Sequence, residues 1–578
     1  MVMFVRRKND SYWRLWVVVA CLVLGAILLM SRSVYLHVVN QPFLKSEADK
    51  RQIRTVTIPA PRGMILDRRD NPLAVSIPVK SVALDPRFVV NTPENWALIS
   101  RYTGVSTDDL LDLYHDARDR KFVYVQRHLH PLDVAPLMAA NLPGVSFHDE
   151  YKRIYPGGRA FSNLIGVSNV DDRGIEGVEL ASNEQLTGHE GKRRVLKDGH
   201  SRVIRDLGLL DAPAQGQDVT LSLDQRLQFV AHQSLQEMIE KTNAESGSVV
   251  ALSVDTGEIL AMVSAPDFDP GDRKSIRMEG LKNRSVSDLF EPGSTIKPFV
   301  VAAGLENGVV NSFSQIDSEK GRFRVHNLTV RDHRDYGVLT LTKLLAKSSN
   351  VGAAKIGLAL EPSVLEKTLE QVGFASAPAI DLPGIQRGRL RWPRYPVERA
   401  TLAYGYGMSI TTLQLAEAYY VLAANGIKRP VTIFKNDQVP EGERVMSAQV
   451  AQRIRGMLEA VVSEDGTGKK AAVPGYRVAG KTGTSRKLID GTYGHSRYVS
   501  LFAGMAPANN PKVVVAVMVN DPRGNRFYGG DVAAPIFSKV AHAALLLNGV
   551  PPAFATHQLA DLGDGLGIGE SGTGGPRS

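Results

Sequence analysis

Three short strings in this 578-residue chain carry reactive side chains at useful spacings. The first is Ser294-Thr295-Ile296-Lys297, preceded by Glu291-Pro292-Gly293. Proline and glycine make a turn, and the apolar run after Lys297 reads as a helix. Ser294 then stands at a helix N-terminus with Lys297 three residues on, along the same face. The positive end of the helix dipole favours a serine that becomes anionic. A lysine beside it takes the proton if burial and a neighbouring cation keep it neutral. The second string is Ser348-Ser349-Asn350, and the third is Lys481-Thr482-Gly483-Thr484 after the strand-like Tyr476 to Ala479. Glycine there lets backbone approach a substrate closely, while a lysine and two hydroxyls can hold a carboxylate. Taken singly, each string has a plainer reading: a helix cap with a solvated lysine, a polar turn ending a helix, a β-turn with a surface lysine.

Together they point further. Ser348 follows Ser294 by 54 residues, and Lys481 follows Ser348 by 133. The set S-x-x-K, S-x-N and K-T-G, in that order, is shared by β-lactamases and penicillin-binding proteins. The elements that must position it are legible nearby. Val219 to Leu223 reads as an extended connector. Leu227, Val230, Leu235 and Ile239 then line one helical face. Gly247–Val254 and Glu258–Ala265 are strand-like and joined by the turn Asp255-Thr256-Gly257, a hairpin. Much of 294–460 is helical in pattern, and Tyr476–Thr484, Val499–Met505 and Val513–Val519 are again strand-like. Strands from both ends of the domain with a helical block between them predict an α/β (α+β) fold, a sheet covered by helices.

The composition is that of a folded protein, 43% hydrophobic and 22% charged, with net charge +9. No RNA-binding, helix-turn-helix or zinc-finger pattern accompanies the charge, so nucleic acid is not the expected partner; wall polymers and anionic headgroups are compatible ones. No Cys/His ligands occur at zinc spacing, so no metal is expected. The single cysteine, Cys21, excludes a disulfide within the chain. It lies in an apolar run, Leu15 to Met30, that continues past Arg32 to Val39. Arg6, Arg7, Lys8 and Arg14 precede the run, and Trp13, Trp16 and Tyr35 suit its interfaces. With no A-x-A cleavage site, it reads as an uncleaved anchor with a cytoplasmic N-terminus.

Further strings carry a family resemblance. They are Arg62-Gly63-Met64-Ile65-Leu66-Asp67-Arg68 with Pro72-Leu73-Ala74-Val75-Ser76, then Tyr155-Pro156, Gly174-Ile175-Glu176-Gly177 and Glu179. Tyr404-Gly405-Tyr406-Gly407, Asn520-Asp521-Pro522 and Tyr528-Gly529-Gly530 follow. On these the chain resembles the class B penicillin-binding proteins, in their division-specific branch, over nearly its whole length after the anchor. The resemblance implies a cytoplasmic segment 1–14, a transmembrane anchor 15–39 and a non-catalytic pedestal 40–221. A transpeptidase domain 222–555 and a disordered glycine-rich tail 556–578 would follow. It implies a stem peptide ending in D-Ala-D-Ala as donor, attacked by Ser294 with Lys297 as base. Lys481, Thr482 and Thr484 would hold the terminal carboxylate, and the N–H groups of Ser294 and Thr484 would form the oxyanion hole. Ser348 would relay a proton to the leaving D-alanine and Asn350 would hold the substrate amide. Ser349, Gly483, Tyr406 and Tyr528 would complete the binding surface. β-Lactams would acylate the same serine, and no cofactor is implied. Glycan polymerisation would fall to a partner, the SEDS polymerase FtsW, beside other divisome proteins at the septum.

The chain departs from the family at Pro383-Gly384-Ile385-Gln386-Arg387-Gly388, where an acid is usual, at Ser485 for alanine, and at Phe161-Ser162-Asn163 for a histidine-containing string. A β-lactamase, a D,D-carboxypeptidase, and a non-catalytic divisome scaffold or β-lactam sensor are the competing readings. The first lacks an anchor and pedestal; the last is opposed by intact Ser294, Lys297 and Lys481.

Overall fold

The computed structural model describes residues 12–198, 203–489 and 492–552. Most of the expected cytoplasmic segment, with Arg6, Arg7 and Lys8, and the expected glycine-rich tail lie outside the described residues. A continuous helical span runs over Tyr12–Val39, 28 residues with none buried. At 1.5 Å per residue it is long enough to cross a ~30 Å hydrocarbon layer. Helix Gly529–Leu547 is also long and apolar, but half of it is buried, as a core helix is.

The chain folds into two compact units that interleave in sequence. One comprises Met1–Pro61, Pro78–Tyr151 and Gly188–Gln215; the other comprises Arg62–Ile77, Lys152–Thr187 and Gly216–Ser578. In the first, Ile53–Ile58, Gly191–Lys197 and Val203–Asp211 form an antiparallel three-stranded sheet. The same unit has a small core of Val82, Leu84, Trp96, Ile99, Leu110, Val134 and Leu137. Thr92 and Ser106 cap two of its helices, each accepting from the N–H three residues on.

The second unit is built on five antiparallel strands. Their spatial order is Ile259–Ala265, Ser246–Ser253, Val513–Asn520, Thr492–Ala506 and Ala479–Ile489. Period-two alternation splits their side chains between two cores. Val249, Ala251, Val515 and Val517 pack with Leu235, Phe537 and Val540, from helices Gln225–Thr242 and Gly529–Leu547. Val250, Leu252, Ala516 and Met518 pack with Leu413, Tyr419 and Ile454 of the inserted helical block. The expected hairpin and sheet are present. The strand expected over Tyr476–Thr484 begins at Ala479 and runs on to Ile489, because Thr492–Ala506 continues to pair with it beyond Thr484.

Two ionic groups hold this unit from inside. Glu179, fully buried, receives Arg62 Nε at 2.7 Å and Arg153 Nε at 2.7 Å, and its carbonyl accepts Arg62 Nη2 at 2.8 Å. Buried Arg455 donates to the carbonyls of Leu422 and Ala423 at the end of helix Thr412–Ala423 and to Asn425 Oδ1 at 2.7 Å. A cation at a helix C-terminus meets the negative end of its dipole.

Candidate active site

Ser294 lies in a 3-10 turn, Gly293–Ile296, that feeds helix Lys297–Glu306. Pro292, Gly293, Thr295 and Ile296 around it are buried, while Ser294 keeps partial exposure. The turn is clamped from every side. Gly293 takes φ +52° and donates its N–H to Gly405 O at 3.0 Å. Backbone meets backbone here: a Cβ at Gly405 would lie 2.0 Å from Gly293 O. Tyr419 Oη donates to Thr295 O at 2.9 Å, Ser485 Oγ to Glu291 O at 2.9 Å, and Gly407 N to Glu291 Oε1 at 2.9 Å. Tyr406 is half-buried with its ring edge-on to Tyr404 at 5.7 Å.

The second string forms the corner between helices Leu341–Lys347 and Asn350–Ala359. Ser348 is left-handed, φ 60° and ψ 41°. Its placement turns both its hydroxyl and its carbonyl toward Lys297. That lysine is fully buried, and its Nζ donates to Ser348 O at 2.5 Å, Asn350 Oδ1 at 2.7 Å and Ser348 Oγ at 3.2 Å. Lys481, also fully buried, donates to Ser348 Oγ at 2.9 Å and Thr482 O at 3.1 Å. Two lysines thus converge on one hydroxyl. Burial brings Lys297 down to about 7, against a smaller opposing pull from Asp332. Burial first, and the Lys297 charge second, push Lys481 well below its ordinary value. Neutral amine near pH 7 is what a base for the serine proton needs.

The structure joins Lys297, Ser348, Asn350 and Lys481 in one hydrogen-bonded cluster, with Ser294 on the turn that leads into Lys297, and treats the other expected residues unevenly. Ser349 is fully buried; its hydroxyl accepts from Gly352 N at 2.9 Å and donates to Asp332 Oδ2 at 2.6 Å. It caps a helix rather than lining an opening. Strand alternation sends Lys481 and Gly483 toward the serine turn and the two threonines the other way. Thr482 Oγ1 pairs with Thr467 Oγ1 at 2.8 Å, and Thr484 Oγ1 accepts from Gly529 N at 3.0 Å. Thr484 stays partly exposed. A Cβ at Gly483 would lie 2.8 Å from Thr295 Cγ2 and 3.0 Å from Pro292 O, so this glycine admits the serine turn. Tyr528 is exposed beside His333, ring centroids 6.2 Å apart, next to a stacked Tyr498–Phe527 pair at 4.1 Å. Sequence reasoning missed Asp332, which lies 17 residues before Ser349 and belongs to none of the strings. Among the described residues no group of His, Cys, Asp and Glu gathers as metal ligands would.

This arrangement matches a known one. Residues 247–542 fit the penicillin binding protein transpeptidase domain, and residues 57–221 fit the penicillin-binding protein dimerisation domain. The chain belongs to the penicillin-binding protein transpeptidases. Their members are serine-type enzymes of peptidoglycan synthesis. The chain is 37% identical to the peptidoglycan D,D-transpeptidase FtsI of Escherichia coli K12, over 94% of this chain and 93% of that one. It is 36% identical to the probable peptidoglycan D,D-transpeptidase PbpC of Pseudomonas aeruginosa, over 95% and 97%. Penicillin binding protein 3 of Mycobacterium tuberculosis, solved in complex with aztreonam, superposes with TM-score 0.66 at 28% identity, covering 86% of this chain and 99% of that one. Pedestal-type and transpeptidase segments in one chain make it a class B penicillin-binding protein, similar to FtsI, or penicillin-binding protein 3. Ser294, Lys297, Ser348 and Lys481 all lie within the residues that match the transpeptidase domain.

Proposed function

We propose that this transpeptidase cross-links septal cell wall by a Ser294 acyl-enzyme. The observation that carries the reading is the convergence of two buried lysines on Ser348 beside an accessible Ser294. Neutral Lys297 takes the Ser294 proton as the oxygen attacks the carbonyl of a terminal D-Ala-D-Ala. The N–H groups of Ser294 and Thr484 face the developing oxyanion, a contribution of about 3 kcal/mol per donor. Ser348, held between the two amines, passes a proton to the leaving D-alanine. Thr484, partly exposed, receives the terminal carboxylate, and Tyr406 and Tyr528 flank the peptide. An amine of a second stem peptide then takes the acyl group from Ser294. The energy comes from the cleaved peptide bond, so no nucleotide is consumed.

Around that centre, residues 15–39 anchor the chain with the globular parts outside the cytoplasm, 40–221 act as pedestal, and 222–555 as catalytic domain. Glycan strands come from a SEDS polymerase of the FtsW type. The test is the intact mass of the detergent-solubilised full-length protein exposed to benzylpenicillin. The expected result is a one-to-one adduct that persists for an hour and is absent in Ser294→Ala. An adduct on the variant overturns the assignment of the nucleophile; rapid clearance with drug consumption overturns transpeptidation in favour of a β-lactamase.

A further inference from the structure

Asp332 ends the short strand Leu328–Arg331 and is only partly exposed. It occurs in none of the three strings, and the one expected side chain it touches is the buried Ser349. Its carboxylate nevertheless makes three of the hydrogen bonds that hold the serine-asparagine corner in place. Oδ1 accepts Asn350 N at 2.5 Å and Val351 N at 3.1 Å, and Oδ2 accepts Ser349 Oγ at 2.6 Å. The preceding carbonyl, Arg331 O, accepts Asn350 Nδ2 at 2.9 Å, which fixes that amide with Oδ1 toward Lys297. The first N–H groups of a helix have no partners within it, so an anion bonded to two of them is strongly oriented. A charged acceptor makes these bonds shorter and stronger than a neutral one.

We infer that Asp332 is a positioning residue of the transpeptidase reaction. It orients Ser348 and Asn350 onto Lys297 and supplies a negative charge that favours the protonated form of that lysine. This rests on the reading of Ser294 and Lys297 given above. The groups facing Lys297 are Ser348 and Asn350 from the corner, Lys481 from the edge strand and Asp332 through the helix end. Asp332 itself is flanked by exposed Arg331, His333 and Arg334, and burial first, with the Asp332 charge second, raises the Tyr336 phenol. Asp332 opposes the burial that lowers Lys297, so removing its charge lets Lys297 lose its proton at lower pH.

The experiment is the second-order rate of benzylpenicillin acylation of the full-length protein from pH 5.5 to 9, per molecule able to be acylated. Asp332→Asn keeps an oxygen for the two N–H groups without the charge, and Asp332→Ala removes both. Asp332→Asn is expected to move the acidic limb to lower pH by half a unit or more and to lower the alkaline plateau about tenfold. Asp332→Ala is expected to lose 100-fold or more on the plateau. A capping role alone would lower the melting temperature and the fraction able to react, but would leave the limb where it is. An unmoved limb with a wild-type plateau in Asp332→Asn overturns the inference, whether or not Asp332→Ala folds. If the wild-type protein is not acylated at all, it is the Ser294 reading that fails.

Discussion

At the scale of single residues, the lysine at 297 sets the pH behaviour. Its folded value near 7 lies below the ordinary 10.5, with burial as the main cause. In the proposed mechanism the neutral form is the base, so protonation would remove activity as pH falls. Acylation by benzylpenicillin is expected to drop about tenfold per pH unit below 7 and to level off above it. A rate that stays flat from pH 5.5 to 8 would remove Lys297 from the role of base. The same depression has a stability side. An unfolded chain takes up this proton at higher pH than the folded one, so stability declines as pH falls from 10.5 towards 7. The five central residues were readable because they sit in linear strings whose spacing survives folding. Ser349 and Thr482 were not, because side-chain direction depends on a helix cap and on strand register. Asp332 was invisible for a related reason: only the close approach of strand Leu328–Arg331 to the corner makes it relevant. The departure at Ser485 acquires a purpose in the structure, since its hydroxyl holds Glu291 O at the base of the serine turn.

Among elements, the loop Tyr404–Gly407 and the serine turn behave as one piece. Gly405 has φ +95°, and its missing side chain leaves room for Gly293. Gly405→Ala would suffer both the strained backbone and a contact 2.0 Å from Gly293 O. The turn must shift to relieve it, and displacements of about 1 Å at a reacting group cost about 100-fold. Acylation of Gly405→Ala is expected to fall at least that far; stopped-flow or gel-based labelling with a fluorescent penicillin gives the number. A rate within threefold of wild type would show the clamp to be dispensable. The hairpin Ser246–Ala265 was legible from alternation and its Asp-Thr-Gly turn. The extension of the edge strand to Ile489 was not, because Ser485-Arg486-Lys487 gives no apolar alternation; a paired neighbour keeps it extended. Asn163, one of the departures, donates to the carbonyls of Pro266, Lys282 and Gly280, and so ties the segment after the hairpin to the start of helix Ser162–Ile165.

For the molecule as a whole, the interleaving of the two compact units was not written in any local pattern. Arg62, Arg153 and Glu179 come from segments of the dimerisation-domain match, yet they join the unit that holds Ser294. Glu179 neutralises two buried guanidinium groups at 2.7 Å each. Glu179→Ala leaves both cations uncompensated, and a broken buried pair costs about 3–5 kcal/mol. The melting temperature of the variant is expected to fall by several degrees, with loss of penicillin acylation in step with unfolding. An unchanged melting curve would show that solvent or another group has replaced the carboxylate. The central sheet has a further consequence, for the order in which the protein is made. Strand Ser246–Ser253 lies beside Val513–Asn520, and more than two hundred residues separate Ala265 from Ala479. A ribosome adding 5–20 residues per second needs on the order of 10–40 s to cross that gap. For that interval the first two strands have no partners along one edge, and the serine exists without the lysine at 481. On the proposed roles of Ser294 and Lys481, the reactive centre is completed only when the last strands emerge.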